Sequence, residues 1–298
     1  MIKIVTHNAK FHADDVFAVA TLLLIHGEGD CEIVRTRAEN EIEDGDVVVD
    51  VGGVYDPEQN RFDHHQLGGA GERANGVPYA SFGLVWDKYG EELSGSLEIK
   101  ESIDRVLVQA VDALDNGVDV TKQVFEGVRP FDVVGLVGLF RPTWDEEKKW
   151  DTKFLEAVSW AKGVISRMLK VERDLYEARA VVNSIYESSQ EKEIIVVGEQ
   201  YDFGREVAMS VLSNYPEPIY AVLYRSDAKN WQVVAVRKDR STHESRKYLP
   251  ESWRAKSGLD LQKVSGIVDA EFCHNSGFMA LVKSKEGAIA LAKGALNE

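Results

Sequence analysis

Strand and helix signals alternate through the first half of this sequence, and no other feature restricts its fold as tightly. Ile2-Thr6 is a short β-rich run, and Ala13-His26 follows with apolar residues at helical spacing (Val16, Val19, Ala20, Leu23, Leu24). Glu32-Thr36 is a second candidate strand, and Asp46-Val51 (DVVVDV) a third, bounded by Gly45 and by Gly52-Gly53. Helices are expected at Pro78-Tyr89 and Ile99-Leu114, the second stopped by Asn116-Gly117. Such alternation builds a parallel sheet with crossover helices, where active sites lie at the carboxyl ends of the strands.

At 298 residues the chain exceeds the size at which a single core usually stops growing, so two domains are expected. Asp151 to about Ser188 reads as one long helix with charged faces, a bridge between them. Glu193-Gly198, Ile219-Tyr224 and Trp231-Val236 then supply new strand candidates, and Glu286-Leu296 a closing helix. The expected fold class is α/β, with a parallel-sheet domain at 1–150, a helical linker at 151–190 and a smaller α/β domain at 191–298. Gly68-Gly76 (GGAGERANG) is the most loop-like segment, either a mobile flap or a plain surface loop.

The longest apolar stretch, Val16 to Ile25, has the length of a core helix rather than a membrane span. Met1-Ile2-Lys3-Ile4-Val5 reads as a strand rather than a signal peptide. Two cysteines, Cys31 and Cys273, make no disulfide framework and favour a reducing, cytoplasmic setting. The net charge of −15 repels polyanions as a whole, so an anionic substrate must be held locally, by metal ions and a few placed cations. The oligomeric state is left open, a homodimer included.

Seven histidines occur, and four of them fall in two short clusters, His7 with His12 and His64 with His65. Asp14 and Asp15 stand beside the first cluster and Asp63 beside the second. Asp50 closes an apolar strand, where a buried carboxylate is costly unless paired or bound to metal. Asp112 and Asp115 sit three apart on one helix face. Mixed imidazole and carboxylate donors suit Mn²⁺, Mg²⁺, Zn²⁺ or Fe²⁺, and no thiolate set competes for a softer metal. Each element alone has a bland explanation: a surface His-His pair, an Asp capping a turn, an Asp pair complementing a helix dipole. Their succession along one open α/β sheet is what sets them apart.

That succession resembles the DHH phosphoesterase superfamily. The resemblance is carried by Thr6-His7-Asn8-Ala9-Lys10-Phe11-His12-Ala13-Asp14-Asp15, Val49-Asp50-Val51-Gly52-Gly53, Tyr55-Asp56-Pro57, Arg61-Phe62-Asp63-His64-His65-Gln66 and Val111-Asp112-Ala113-Leu114-Asp115-Asn116-Gly117. Within the superfamily the chain closely resembles the exonuclease family named after a melanocyte proliferating gene, also catalogued as an uncharacterised metal-dependent hydrolase family. This likeness runs almost end to end and includes Pro142-Thr143-Trp144, Ser245-Arg246, Pro250-Glu251-Ser252-Trp253-Arg254, Val264-Ser265-Gly266 and His274-Asn275-Ser276-Gly277-Phe278.

The resemblance implies a catalytic DHH domain, a linking helix, a smaller substrate-binding domain, and two divalent ions, usually Mn²⁺, with Mg²⁺ or Zn²⁺ as alternatives. It implies His7, His12, Asp14, Asp50, His64 and Asp115 as metal ligands, Asp50 bridging. His12 stands where the wider superfamily carries an aspartate, at a spacing longer by one residue. His65 is expected beside the scissile phosphate and Asp63 as the residue that orients a histidine; with Asp50 they form the expected catalytic set. His65, Arg246, Arg254, His274 and Gly277 are the expected substrate contacts, the arginines because a guanidinium matches phosphate geometry. For those arginines a surface salt bridge is the competing reading, and for His274 a satisfied histidine at a turn. The family commonly has Asn-Gly where this chain has Asn8-Ala9, Cys-Asp-Glu where it has Ala13-Asp14-Asp15, and a glycine pair where it has Met279-Ala280.

The expected activity is a metal-dependent phosphodiesterase, a 3′-to-5′ exonuclease acting on RNA or short oligonucleotides. A small-molecule phosphoesterase on the same fold and a non-catalytic metal-binding protein are the rivals. A peptidase is disfavoured, since no HExxH helix or nucleophile elbow occurs.

Overall fold

In the first sheet, strand order follows from the β-rich runs and their crossovers. β1 (Ile2–Thr6), β2 (Cys31–Arg35), β3 (Val47–Val49), β4 (Tyr55–Asp56) and β5 (Arg61–Phe62) assemble in the order β2-β1-β3-β5-β4. The β1–β2, β1–β3 and β3–β5 pairs are parallel, and only the short β4 runs antiparallel to β5. The computed structural model describes residues 1–239 and 241–298.

The Ala13–His26 helix makes the crossover from β1 to β2, and after the two aspartates of its first turn it is almost wholly apolar because it is covered on every side. From Ala13 to Leu23 each of its residues is buried. It packs on the Ser81–Ser94 helix, with the Phe17 and Phe82 rings 5.3 Å apart. The helix expected at Pro78-Tyr89 begins three residues later and continues to a Gly95 cap at φ +77. The one expected at Ile99-Leu114 is helical throughout but carries a wider π turn at Asp104–Val108 between Leu97–Ile103 and Gln109–Asp115. Such insertions concentrate at functional sites.

The Trp150–Ser188 helix serves two cores in succession. Phe154, Ala157, Val158, Ala161, Ile165 and Leu169 recur at helical spacing and belong to the core beneath the first sheet. Ala178, Val182 and Tyr186 belong to a core of the second sheet. The chain accordingly divides into two units, Met1–Arg173 and Asp174–Glu298, with the division falling inside this helix.

In the second unit, β6 (Ile194–Val196), β7 (Tyr220–Arg225), β8 (Asn230–Ala235), β9 (Ala270–Cys273) and β10 (Met279–Val282) form a sheet in the order β6-β7-β8-β10-β9. Only β6 and β7 pair in parallel. Alternation along β7 sends Tyr220 and Val222 to one core, with Trp253 and the Lys285–Asn297 helix, and Ala221 and Leu223 to the other, with the Arg205–Leu212 helix. Both cysteines are free. Among the described residues no helix is long and apolar enough to cross a membrane.

Candidate metal centre

Three parallel strands deliver the cluster, each ending just before residues of the candidate site. β1 ends at Thr6 and is followed by His7; β3 ends at Val49 and is followed by Asp50; β5 ends at Phe62 and is followed by Asp63-His64-His65. The first turn of the Ala13–His26 helix adds Asp14 and Asp15, and the end of the Gln109–Asp115 helix adds Asp115. Residues spread over more than a hundred positions thus converge at the carboxyl edge of the sheet.

Asp50 lies at the centre. Its backbone takes the left-handed conformation, φ +56, a region that favours glycine but that Asp visits at modest cost. One carboxylate oxygen faces His7 Nε2 at 3.2 Å, and the other faces His64 Nε2 at 3.5 Å and His65 Nδ1 at 3.4 Å. Ser81, itself buried, donates its hydroxyl to that second oxygen at 3.2 Å. Burial alone would raise the Asp50 carboxyl, but hydrogen bonds from His64 and His7 hold it well below its usual value. Asp50 also joins two separate groups whose donor atoms lie close enough together to hold an ion, one with His7 and His12 and one with His64 and His65. A third group combines His12, Asp14 and Asp115.

The two helix-start aspartates, alike in sequence, differ in role. Asp15 accepts from the His12 amide at 2.8 Å, closing the helix start, and its other oxygen sits 3.2 Å from His7 Nε2. Asp14 is fully buried and neither of its oxygens has a hydrogen-bond partner. Its carboxyl is pushed well above its ordinary value by burial and by the charges of Asp50, Asp115 and Asp15. A carboxylate in that position is stable only against a cation.

Both buried histidines hold protons tightly while facing these carboxylates alone. Burial lowers His7, but its bonds to Asp15 and Asp50 outweigh that and raise it to about 10. His64 is raised to about 10 in the same way by Asp115, 3.3 Å away, and Asp50. His7 Nδ1 is 3.1 Å from the Asn8 carbonyl, to which it donates; this leaves Nε2 turned toward Asp15 and Asp50.

His65 and Asp63 form a distinct pair. Asp63 accepts from His65 Nδ1 at 2.8 Å, from the His65 amide at 3.1 Å and from the Gly53 amide at 2.6 Å. Its oxygens are thereby engaged, and the His65 ring stays 62% exposed. A cavity of about 250 Å³ opens here, lined by His7, His12, Arg37, Asp50, Asp63 and His65. The donor set, oxygen and imidazole nitrogen with no sulfur, fits a hard or borderline divalent ion.

The remaining expected substrate residues lie in the second unit. Arg246 donates to the carbonyls of Pro218 and Ser213, both at 2.9 Å, so its fork tethers two backbone segments. Arg254 donates to the Leu249 carbonyl at 3.0 Å and lies against Gly277, where a Cβ would fall 2.6 Å from its Nε. His274 Nδ1 accepts from the Ser276 hydroxyl at 2.9 Å and amide at 3.2 Å, a local turn.

Sequence reasoning missed the brace behind Asp115. Arg73, from the glycine-rich loop, reaches Asp112 at 2.8 Å and Asp104 at 2.9 Å and stacks its guanidinium 4.1 Å from the Tyr79 ring. The loop is therefore pinned at Arg73, although Leu67 at its start is fully exposed. Asp112 also accepts from the Gly83 amide at 2.9 Å, and a Cβ on Gly83 would lie 1.8 Å from its carboxylate. Burial pushes the Asp112 carboxyl up to about 7 against the opposing pull of Arg73 and that amide. Ser81 gave no signal in the sequence, and although Asp112 and the glycine-rich loop stood out there, nothing in it joined Arg73 to Asp112. Ala9 occupies the left-handed region, φ +63, at the position where the similar family carries glycine.

The family model for an uncharacterised protein family, UPF0160, carrying the label MYG1 exonuclease, matches residues 3–296. MYG1 exonuclease of Homo sapiens is 30% identical over 324 residues, spanning 99% of this chain and 85% of its own length. MYG1 protein C27H6.8 of Caenorhabditis elegans is 32% identical over 328 residues, spanning 98% and 94%. The crystal structure of RecJ in complex with Mn²⁺ from Thermus thermophilus is 13% identical, with a TM-score of 0.28 over 99% of this chain and 52% of that one, too slight a superposition to assign a function.

Proposed function

We propose, from the premise that this chain belongs to the MYG1 exonuclease family (UPF0160), that it is a two-metal phosphodiesterase removing nucleotides from the 3′ end of RNA or short oligonucleotides. The observation that supports this most is Asp50, which faces both His7 and His64, with buried Asp14, whose oxygens carry no hydrogen bond, close by. His7, His12 and Asp50 would hold one ion; Asp14, Asp50, His64 and Asp115 the other. Mn²⁺ suits this donor mixture, with Mg²⁺ or Zn²⁺ as alternatives. Such a pair, when bound, supplies an acidified water and positive charge for the attacking and leaving oxygens.

The chain's own residues do the rest. Asp63 fixes the His65 tautomer with the proton on Nδ1, so the exposed Nε2 is available to a phosphate oxygen or leaving group. Arg37, on the cavity wall, offers a cation to a non-bridging oxygen. Ser81 keeps Asp50 facing inward. Two free cysteines suit a reducing cytoplasm.

The test is a 5′-labelled oligoribonucleotide incubated with Mn²⁺, with Mg²⁺ and with a chelator, alongside a DNA oligomer and dinucleotides. A ladder of single-nucleotide losses that needs the metal, and that Asp50→Ala and His64→Ala abolish, is expected. Intact oligomer with rapid turnover of a small phosphate ester would replace this reading with the small-molecule one. Absence of any divalent-ion binding would leave a non-catalytic protein.

A further inference from the structure

Two arginines flank the buried ring of Phe11, the residue before His12, and they are engaged differently. Arg35 lies 5.7 Å from the ring centroid and Arg141 5.9 Å. Arg35 uses both terminal nitrogens, donating to the Asp151 carboxylate and to the Ala9 carbonyl, each at 2.8 Å. Arg141 donates through Nε alone, to the Phe11 carbonyl at 2.7 Å. Among the described residues its side chain makes no other hydrogen bond and no ion pair. A guanidinium has five N–H donors, so the four on its two terminal nitrogens are left over.

The fold sets that fork beside the metal centre. Arg141 follows the Val133–Gly138 helix, which packs on the Ala13–His26 and Gln109–Asp115 helices, the two that carry Asp14, Asp15 and Asp115. Burial lowers the Arg141 guanidinium, and the charges of Asp15 and Asp115 act the other way, so both carboxylates lie near enough to be felt. Neither is turned to it: Asp15 faces the His12 amide and the His7 ring, and Asp115 faces His64. A half-buried cation has lost part of its hydration, and here it gains one neutral carbonyl in return. With the carboxylates committed to the histidines and to ions, the complement left for the fork is an anion from outside. Phosphate fits it, since its oxygens match two parallel N–H donors.

We propose that Arg141 binds a phosphate oxygen of the substrate at the metal centre, a contact supplied by the first unit itself, with the Phe11 carbonyl holding the fork in place. It rests on the nucleolytic reading above and deepens it, adding a phosphate contact beyond Arg37 and the arginines of the second unit. The competing role, a tether between the turn at Arg141 and the loop that carries His12, uses Nε only and predicts different results.

The experiment titrates adenosine monophosphate into the Mn²⁺-loaded full chain by calorimetry, with adenosine as the probe that lacks phosphate, and titrates Mn²⁺ separately. Adenosine should bind more weakly than its monophosphate. Arg141→Gln should weaken monophosphate binding about tenfold or more, the loss of a charge-assisted contact. It should leave Mn²⁺ affinity unchanged or tighter, because a positive charge beside the cluster is gone. Arg141→Lys keeps the charge but not the fork, so it should still lose several-fold, and it stands in should the glutamine variant melt early. Full-strength nucleotide binding by either variant, or Mn²⁺ affinity that falls in step with nucleotide affinity, would overturn the proposal in favour of the tether. No nucleotide binding by the natural chain would overturn it as well. Nucleotide binding that depends on Arg141 in a chain that cuts no RNA would remove the nucleolytic reading alone, whereas Mn²⁺-dependent cleavage unchanged by Arg141→Gln would remove this one alone.

Discussion

Asp14 shows how a single residue can be placed against the interest of the metal-free fold. Fully buried among three other carboxylates, with no hydrogen bond to its oxygens and His64 Nε2 standing off at 3.9 Å, it costs stability that a closely bound cation returns. Asp14→Asn should therefore raise the melting temperature of the metal-stripped protein, by on the order of 1–3 kcal/mol in stability, while abolishing the increase that Mn²⁺ gives the natural chain. Differential scanning fluorimetry with and without Mn²⁺ checks both halves. A variant that melts below the natural protein in chelator would show that Asp14 has partners after all. Its neighbour Asp15 carries no such expectation, since its oxygens meet the His12 amide and the His7 ring. In the sequence the two are indistinguishable, because adjacent aspartates at a helix start look alike whichever way each side chain turns.

Between elements, the glycine-rich loop and the Gln109–Asp115 helix are held together by one buried cation. Arg73 has a side chain only 9% exposed, and Asp112 is wholly buried. Removing Arg73 takes away the cation that holds Asp112 against the pull of burial and leaves Asp104 without its partner, so Arg73→Gln should destabilise the first unit by about 3–5 kcal/mol. Denaturant unfolding followed by a tryptophan of that unit measures it. Adding Asp112→Asn should recover much of the loss, since the buried acid left without its cation is gone. A loss below about 0.5 kcal/mol would mean the pair acts like an exposed salt bridge. The same brace positions Asp115, one turn beyond Asp112 on the same helix. The sequence marked the loop but left flap and plain loop equal, because glycine content reports backbone freedom and says nothing of the arginine that cancels it.

For the whole molecule, the proton balance of the cluster sets how stability and metal affinity vary with pH. His7 and His64 are each raised to about 10 in the metal-free fold against an ordinary 6.5. The native state therefore binds more protons than the unfolded chain between those values. The stability these pairs contribute is complete below pH 6.5 and is lost as pH rises toward 10. Asp14, raised in the fold as well, acts in the same direction. The metal-free protein should become less stable across that range, and a divalent ion, which needs the neutral imidazoles, should displace protons and bind more tightly as pH rises. Calorimetry near neutral pH in two buffers of different ionisation enthalpy reads the protons released; none released would mean the histidines are not ligands.

What the sequence determined by itself was local and periodic. The Ala13–His26 helix, the first three strands, the long Trp150–Ser188 helix and the order of histidines and aspartates all follow from apolar spacing and from side-chain types that chemistry restricts. The two-residue strands β4 and β5, the β9–β10 pair and the shorter helices escaped it, being too brief for a period to register. Only the tertiary structure decided which charged groups share a dielectric. It set Asp50 between two histidines, left Asp14 without a hydrogen bond, engaged Arg246 with carbonyls and tied Arg141 to the Phe11 carbonyl. The physical reason is distance: backbone propensity acts over a turn or two, whereas the pairing of charges and the cost of burying them depend on which remote segments the fold brings within a few ångströms.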